Sequence, residues 1–323
     1  MRRTVPSFLV ALWVMSAWFG GTGVAAAAAS PDGRPALRVL TSFLPVHSMA
    51  VAIAGSRASV ENWLPAGVDP HDFQFSPADL RRLREADVLI AGGLGLEGWT
   101  EARLRRMSGN DRLRLVEAGA VLPGAVLIHD ACRHDHDHDH GHDHDHSHHG
   151  GPNPHFWLDP LLMAHAVGPV AAAMSEMDPA GAAVYQENAV AYASMLYALH
   201  REYAAGLHDR RSVPFITYHN AFPYLAKRYG LRLVGVVEGT AAEEPSAREL
   251  AELSRLVRQE GVRVLFTDGS PTRLARRLAA DLKIEVATLE TLETGDLVPE
   301  AYESGMRRNL KALQASLRPG TIP

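Results

Sequence analysis

A chain of 323 residues with 46% apolar and 21% charged residues can bury sizeable cores and is not a disordered tail. Its formal net charge of −5, with no basic patch to offset it, disfavours nucleic-acid binding. The single cysteine, Cys132, excludes an intramolecular disulfide.

Arg2 and Arg3 precede an apolar run from Phe8 to Phe19, followed by Gly20, Gly21 and alanines up to Ala29. The run is shorter than the roughly 20 residues that a membrane-spanning helix requires. Residues 1–29 therefore read as a secretory signal cleaved near Ala29. Loss of Arg2 and Arg3 would take the net charge from −5 to −7. With Cys132 the only cysteine, no lipid anchor is expected, and the mature protein is expected in a periplasm as a monomer.

Beyond the signal, short runs rich in β-branched residues alternate with longer helical patterns. Candidate strands are Leu37–Phe43, Val60–Leu64, Asp87–Gly92 and Leu113–Glu117, then Phe215–Tyr218, Leu231–Val237, Val262–Thr267 and Ile284–Thr288. Ser76-Pro77 places a cap and a first-turn proline ahead of a helix over Ala78–Ala86, and Ser246-x-x-Glu249 reads as a capping box. Alternation of this kind predicts α/β architecture with parallel sheets. From Asp178 to His208, Tyr185, Ala189, Tyr192, Leu196, Leu199, Tyr203 and Leu207 recur at helical spacing. That stripe predicts one amphipathic helix of about 30 residues, capped by Asp178, acting as a stiff strut between two halves. The expected division is an N-terminal α/β domain at 35–177, a linker helix at 178–210 and a C-terminal α/β domain at 211–323.

Between the fourth strand and the long helix, residues His134 to His149 read HDHDHDHGHDHDHSHH and hold nine of the seventeen histidines. Nothing in that run can build an apolar core, so a disordered loop is expected over 130–151. Imidazole suits zinc, copper and nickel, and the interleaved carboxylates add negative charge and hard oxygen donors. Three further histidines stand in Pro- and aromatic-rich loops: His71 in LPAGVDPHDF, His155 in NPHFWLDP, and His219 after the strand in ITYHNAF. In open α/β sheets ligands bind beyond the carboxyl ends of strands, where two of these loops would converge. His47, after the first strand, is expected to make a capping or supporting hydrogen bond, and Trp157 to pack near the site.

GVDPHDFQFSPADLRRLREADVLIAGGLGLEGW, NPHFWLDP and FITYHNAFPYLAKRYGL, in that order, resemble the periplasmic metal-binding proteins of ABC importers, the zinc-uptake (ZnuA-like) and TroA-like group. The resemblance spans essentially the whole mature chain. It implies two Rossmann-like α/β domains joined by a long backbone helix, with a metal cleft between them. It also implies that His71, His155 and His219 are imidazole ligands, with an acid as fourth ligand. The corresponding segment, ATLETLETGD, puts Glu290 in that place; Asp268 in FTDGS is the rival, and water is a third option. Three imidazoles with one carboxylate or water suit Zn²⁺, whereas manganese prefers oxygen-rich sites. The implied function is capture of Zn²⁺ and its delivery to the membrane permease of an ABC importer, with the His-rich loop as an accessory collector. A carrier of manganese or another divalent metal is the alternative within the family. A mononuclear zinc hydrolase is the alternative outside it, disfavoured because no H-E-x-x-H occurs.

Overall fold

A computed structural model describes residues 37–65, 67–129, 151–238 and 245–319. The expected signal at 1–29, Cys132 and the His/Asp run at 134–149 lie outside the described residues.

The first sheet is built from β1 (Leu37–Thr41), β2 (Ala58–Asn62), β3 (Val88–Ala91) and β4 (Arg114–Glu117), all parallel in the order β2-β1-β3-β4. The second is built from β5 (Pro214–His219), β6 (Arg232–Glu238), β7 (Val264–Thr267) and β8 (Glu285–Thr288), again all parallel in the order β6-β5-β7-β8. In each, the chain steps to one side of its first strand and then crosses to the other. This creates a switch point between β1 and β3 and another between β5 and β7, the crevices where open α/β sheets bind ligands. The two parallel α/β domains expected from the sequence are present.

Helices run between the strands. They are α1 (Leu44–Ala54), α2 (Pro77–Glu85), α3 (Glu101–Ser108), α4 (Pro160–Met177), α5 (Ala182–Gly206), α6 (Pro223–Tyr229), α7 (Ala247–Glu260), α8 (Arg273–Leu282) and α9 (Ala301–Ser316). The expected caps form. The Ser76 side chain accepts from the Asp79 amide and Asp79 returns the bond to Ser76, while Ser246 and Glu249 close the same box on α7.

Alternation along the buried strands sorts the apolar residues into three clusters. Val39, Val88 and Ile90 on the first sheet join Phe215, Val264 and Phe266 on the second in one large core. Leu40 and Leu89 face a satellite cluster with Trp63, Leu83, Trp99 and Leu104. Ile216 and Leu265 face another, with Val257, Ala275 and Leu278. The two sheets therefore turn their inner faces to a shared helical layer, and strands covered on both sides read as continuous apolar runs.

The long helix lies in that layer. Tyr185, Ala189, Tyr192, Leu196, Leu199 and Tyr203 are its buried residues, and α5 packs on α1, α4 and α9. It runs for 25 residues, shorter than the sequence suggests, because Pro179–Gly181 form a separate 3-10 turn and the helix ends at Gly206. Asp178 does not cap it. The Asp178 carboxylate instead accepts Arg57 Nε and Nη2 at 2.7 and 2.8 Å and the Tyr185 hydroxyl at 2.8 Å.

Polar bonds also cross between the halves. Trp157 Nε1 donates to the Thr291 carbonyl at 2.8 Å, and the Tyr302 hydroxyl donates to the Trp157 carbonyl at 2.6 Å. His129 and Pro152 form an antiparallel bridge, which holds the two ends of the 130–151 segment side by side.

Candidate metal centre

Each candidate histidine is placed by a local device that the sequence encodes. Asp69 Oδ1 accepts the His71 amide at 2.8 Å and opens a single 3-10 turn, Pro70–Asp72, that carries His71. His155 immediately precedes the 3-10 turn Phe156–Leu158, and Asp159 then caps α4 through the Leu161 amide. His219 is the last residue of β5, at the switch point of the second sheet. The structure brings all three together.

Their fourth neighbour is Glu293, not Glu290. One donor atom from each of His71, His155, His219 and Glu293 lies within 4.8 Å of all the others. His155 Nε2 is 3.0 Å from Glu293 Oε1 and 3.0 Å from His219 Nε2, and His71 Nε2 is 3.2 Å from Glu293 Oε1. Glu290 is held elsewhere. Its carboxylate accepts Arg308 Nε and Nη2, both at 2.7 Å, while Asn309 bonds its backbone N–H and carbonyl at 2.8 and 2.7 Å. Asp268 is also outside the cluster, accepting the Thr291 hydroxyl at 2.6 Å. Between Glu290 and Glu293 the chain passes through Leu292 with φ of 63°, a left-handed conformation that costs a non-glycine residue about 1–3 kcal/mol. That turn brings the second glutamate, and not the first, to the histidines.

His155 is fully buried and Glu293 is 8% exposed. Burial alone would raise the Glu293 carboxyl, yet hydrogen bonds from His155 and His71 and the charge of His155 and His219 hold it well below the usual carboxylate range. For His71, burial acts to lower the imidazole, and the hydrogen bond and charge of Glu293 outweigh it, so the value ends raised. Atoms bearing lone pairs this close together coexist only around a positive centre, a proton or a metal ion. A tetrahedron of 2.0–2.2 Å zinc bonds sets its donors about 3.3–3.6 Å apart. The His155–Glu293, His155–His219 and His71–Glu293 separations of 3.0–3.2 Å need only a few tenths of an ångström of expansion, and all four donors lie within 4.8 Å of one another.

The surrounding loops are braced by other groups. Glu97, 5% exposed, accepts the Ser42 hydroxyl at 2.6 Å and the Gly92 and Gly93 amides at 2.5 and 3.1 Å, tying together the loops after β1 and β3. Gly93 has φ of 74°, and a Cβ there would lie 2.8 Å from the Glu117 Cβ, so that turn requires glycine. His47 is not part of the cluster. Its Nδ1 bonds Thr41 Oγ1 at 3.0 Å, and burial lowers its pKa to about 4, which keeps the ring neutral near pH 7. Trp157 packs edge-on against Phe43 at a centroid distance of 4.6 Å and lies 5.1 Å from the His155 ring.

Two parallel α/β domains around a shared helical layer, with donors from both converging between them, are the architecture of metal-type solute-binding proteins. The family described as zinc-uptake complex component A, periplasmic (ZnuA) matches residues 39–316, and the chain belongs to it. This is a family of solute-binding proteins, not of enzymes. The chain is 28% identical over 289 residues to the zinc-binding protein AdcA of Streptococcus pyogenes, covering 86% of this chain and 55% of that relative. It is 31% identical over 291 residues to the zinc-binding lipoprotein AdcA of Streptococcus pneumoniae, covering 88% and 56%. It is 30% identical over 291 residues to the high-affinity zinc uptake system protein ZnuA of Bacillus subtilis, covering 87% and 88%. The chain thus spans about half the length of the streptococcal AdcA relatives it matches. Among solved structures, Zn(II)-bound AdcA of Streptococcus pneumoniae aligns with a TM-score of 0.69 at 26% identity, covering 87% of this chain and 58% of that one. FpvC of Pseudomonas aeruginosa in complex with Mn2+ aligns with a TM-score of 0.75 at 26% identity, covering 87% and 98%.

Proposed function

We propose that this protein captures a zinc ion outside the cytoplasm and hands it to the permease of an ABC importer, with His71, His155, His219 and Glu293 as the ligands. The observation that carries this reading is the convergence of three imidazole nitrogens and one buried carboxylate from loops of both domains. Zinc takes four such donors without distortion, and three nitrogens to one oxygen disfavour manganese. The zinc names of the relatives point the same way. Coordination here is reversible binding: the proton shared among the donors leaves and the ion takes its place.

The His/Asp run at 134–149 is assigned the role of accessory collector, supported by its composition and by the His129–Pro152 bridge at its root. Export through residues 1–29, with cleavage near Ala29, belongs to the same proposal. The intact mass of the exported protein checks the cleavage.

The deciding experiment is a chelator-competition titration of the mature protein lacking residues 134–149, with Zn²⁺ and Mn²⁺ side by side. The expected result is one tight zinc site and weak manganese binding. Loss of the tight zinc site on deletion would overturn the assignment.

A further inference from the structure

We propose that Asn153 is the positioning residue that fixes the His155 imidazole with its Nε2 facing the ion, and that it couples this ring to the loop carrying His219. The inference rests on the zinc reading above.

Asn153 is fully buried two residues before His155. Its Nδ2 donates to the backbone carbonyl of Asn220 at 2.8 Å. A carbonyl can only accept, so the orientation of the amide is set and its Oδ1 must be the atom on the His155 side. Oδ1 accepts the His155 backbone N–H at 3.1 Å and lies 2.9 Å from His155 Nδ1. An amide oxygen cannot donate, so Nδ1 carries the hydrogen in that contact. Nε2 is left as the nitrogen that takes either a proton or a metal ion. The ring keeps its Nδ1–H whichever of the two is present.

The same amide reaches the third ligand loop. Asn220 directly follows His219, and the Tyr224 hydroxyl from α6 donates to the Asn153 carbonyl at 2.8 Å. One buried side chain thereby sets the rotation of one ligand and the backbone position beside another. Aspartate would keep the acceptor for His155 but lose the donor to Asn220, and alanine would lose both.

The test uses the full-length exported protein, ¹⁵N-labelled and loaded with zinc. Long-range proton–nitrogen correlations of the imidazoles report which nitrogen carries hydrogen, and comparison with His155→Gln assigns the His155 signals. The expected spectrum shows a protonated Nδ1 and a metal-shifted Nε2 for His155. Asn153→Ala is expected to disturb that pattern and to weaken zinc binding in chelator competition by about 10–100-fold, the usual cost of removing a group that orients a ligand. Asn153→Asp is expected to keep the Nδ1–H pattern and recover part of the affinity. A purely structural role would lower the melting temperature of Asn153→Ala while leaving His155 pattern and affinity at wild-type values, and that result overturns the inference. A wild-type spectrum with metal on Nδ1 overturns it as well, with no need for the alanine variant to fold. If His155→Gln binds zinc as tightly as wild type, the underlying zinc reading falls and takes this inference with it.

Discussion

Glu290 and Glu293 close two consecutive copies of the same tripeptide, Thr-Leu-Glu, running from Thr288 to Glu293. Nothing local separates the two glutamates. What separates them is distant or conformational: Arg308 and Asn309 on α9 claim the first, and the left-handed Leu292 redirects the second. Glu293→Gln is therefore expected to weaken zinc binding by more than about a hundredfold, beyond the cost of losing an orienting group. Glu290→Gln, which loses only an ion pair with a half-exposed arginine, is expected to bind zinc as wild type does. The pH sense also follows. In the metal-free protein the raised His71 and the ionised Glu293 form a pair that is fully present below the ordinary histidine value of about 6.5 and is lost as pH rises through the raised His71 pKa. The lowered Glu293 pKa keeps its carboxylate ionised well into acid. Metal-free Glu293→Gln should thus be least stable relative to wild type below the ordinary histidine value and recover as pH rises through the raised His71 pKa, read as the difference in melting temperature. Zinc affinity runs in the opposite sense, rising with pH as that proton leaves. The three histidines were legible in the sequence because each sits in a distinctive Pro- or aromatic-rich loop. The fourth residue was not, because a repeat offers two equal candidates. Asn153 carried a faint signal, an amide two residues before a histidine of the cluster, but its partner lies 67 residues away.

Among the elements, those governed by local chemistry were the most readable. Ser76 and Ser246 do at their helix starts what their spacing to Asp79 and Glu249 suggests, and Ser246→Ala is expected to cost about 1 kcal/mol in denaturant unfolding. The register of β2 was less readable. Expected at Val60–Leu64, it runs at Ala58–Asn62, because Trp63 and Leu64 leave the edge strand to fill the outer cluster with Leu83 and Trp99. The apolar run marked burial there and not strand. Asp178 shows a third kind of limit. Asp-Pro reads as a helix start, yet Arg57, far away in sequence, takes the carboxylate and lowers its pKa to about 2. Breaking this bidentate pair with Arg57→Ala is expected to cost about 2 kcal/mol, the scale for hydrogen bonds to charged groups. The stabilisation should persist at all pH values above the ordinary aspartate range and fade only as pH falls toward about 2.

At the scale of the molecule, the two sheets share one apolar core that runs through α1, α4, α5 and α9. A large apolar interface couples domains that would otherwise move and unfold separately. Calorimetry of the metal-free protein is expected to show one transition, whereas two well-separated transitions would mean the shared core does not couple the halves. Zinc should raise that single transition as a ligand of the folded state only. The His129–Pro152 bridge has a further consequence. Because the fold already holds those two residues side by side, a flexible insertion grafted between them is expected to change stability only logarithmically with its length, about 0.6 kcal/mol per doubling, which a melting series of such insertions checks. Pro152, one side of the bridge, stands three residues before His155, so the chain re-enters the fold already aligned to deliver that imidazole to the cluster.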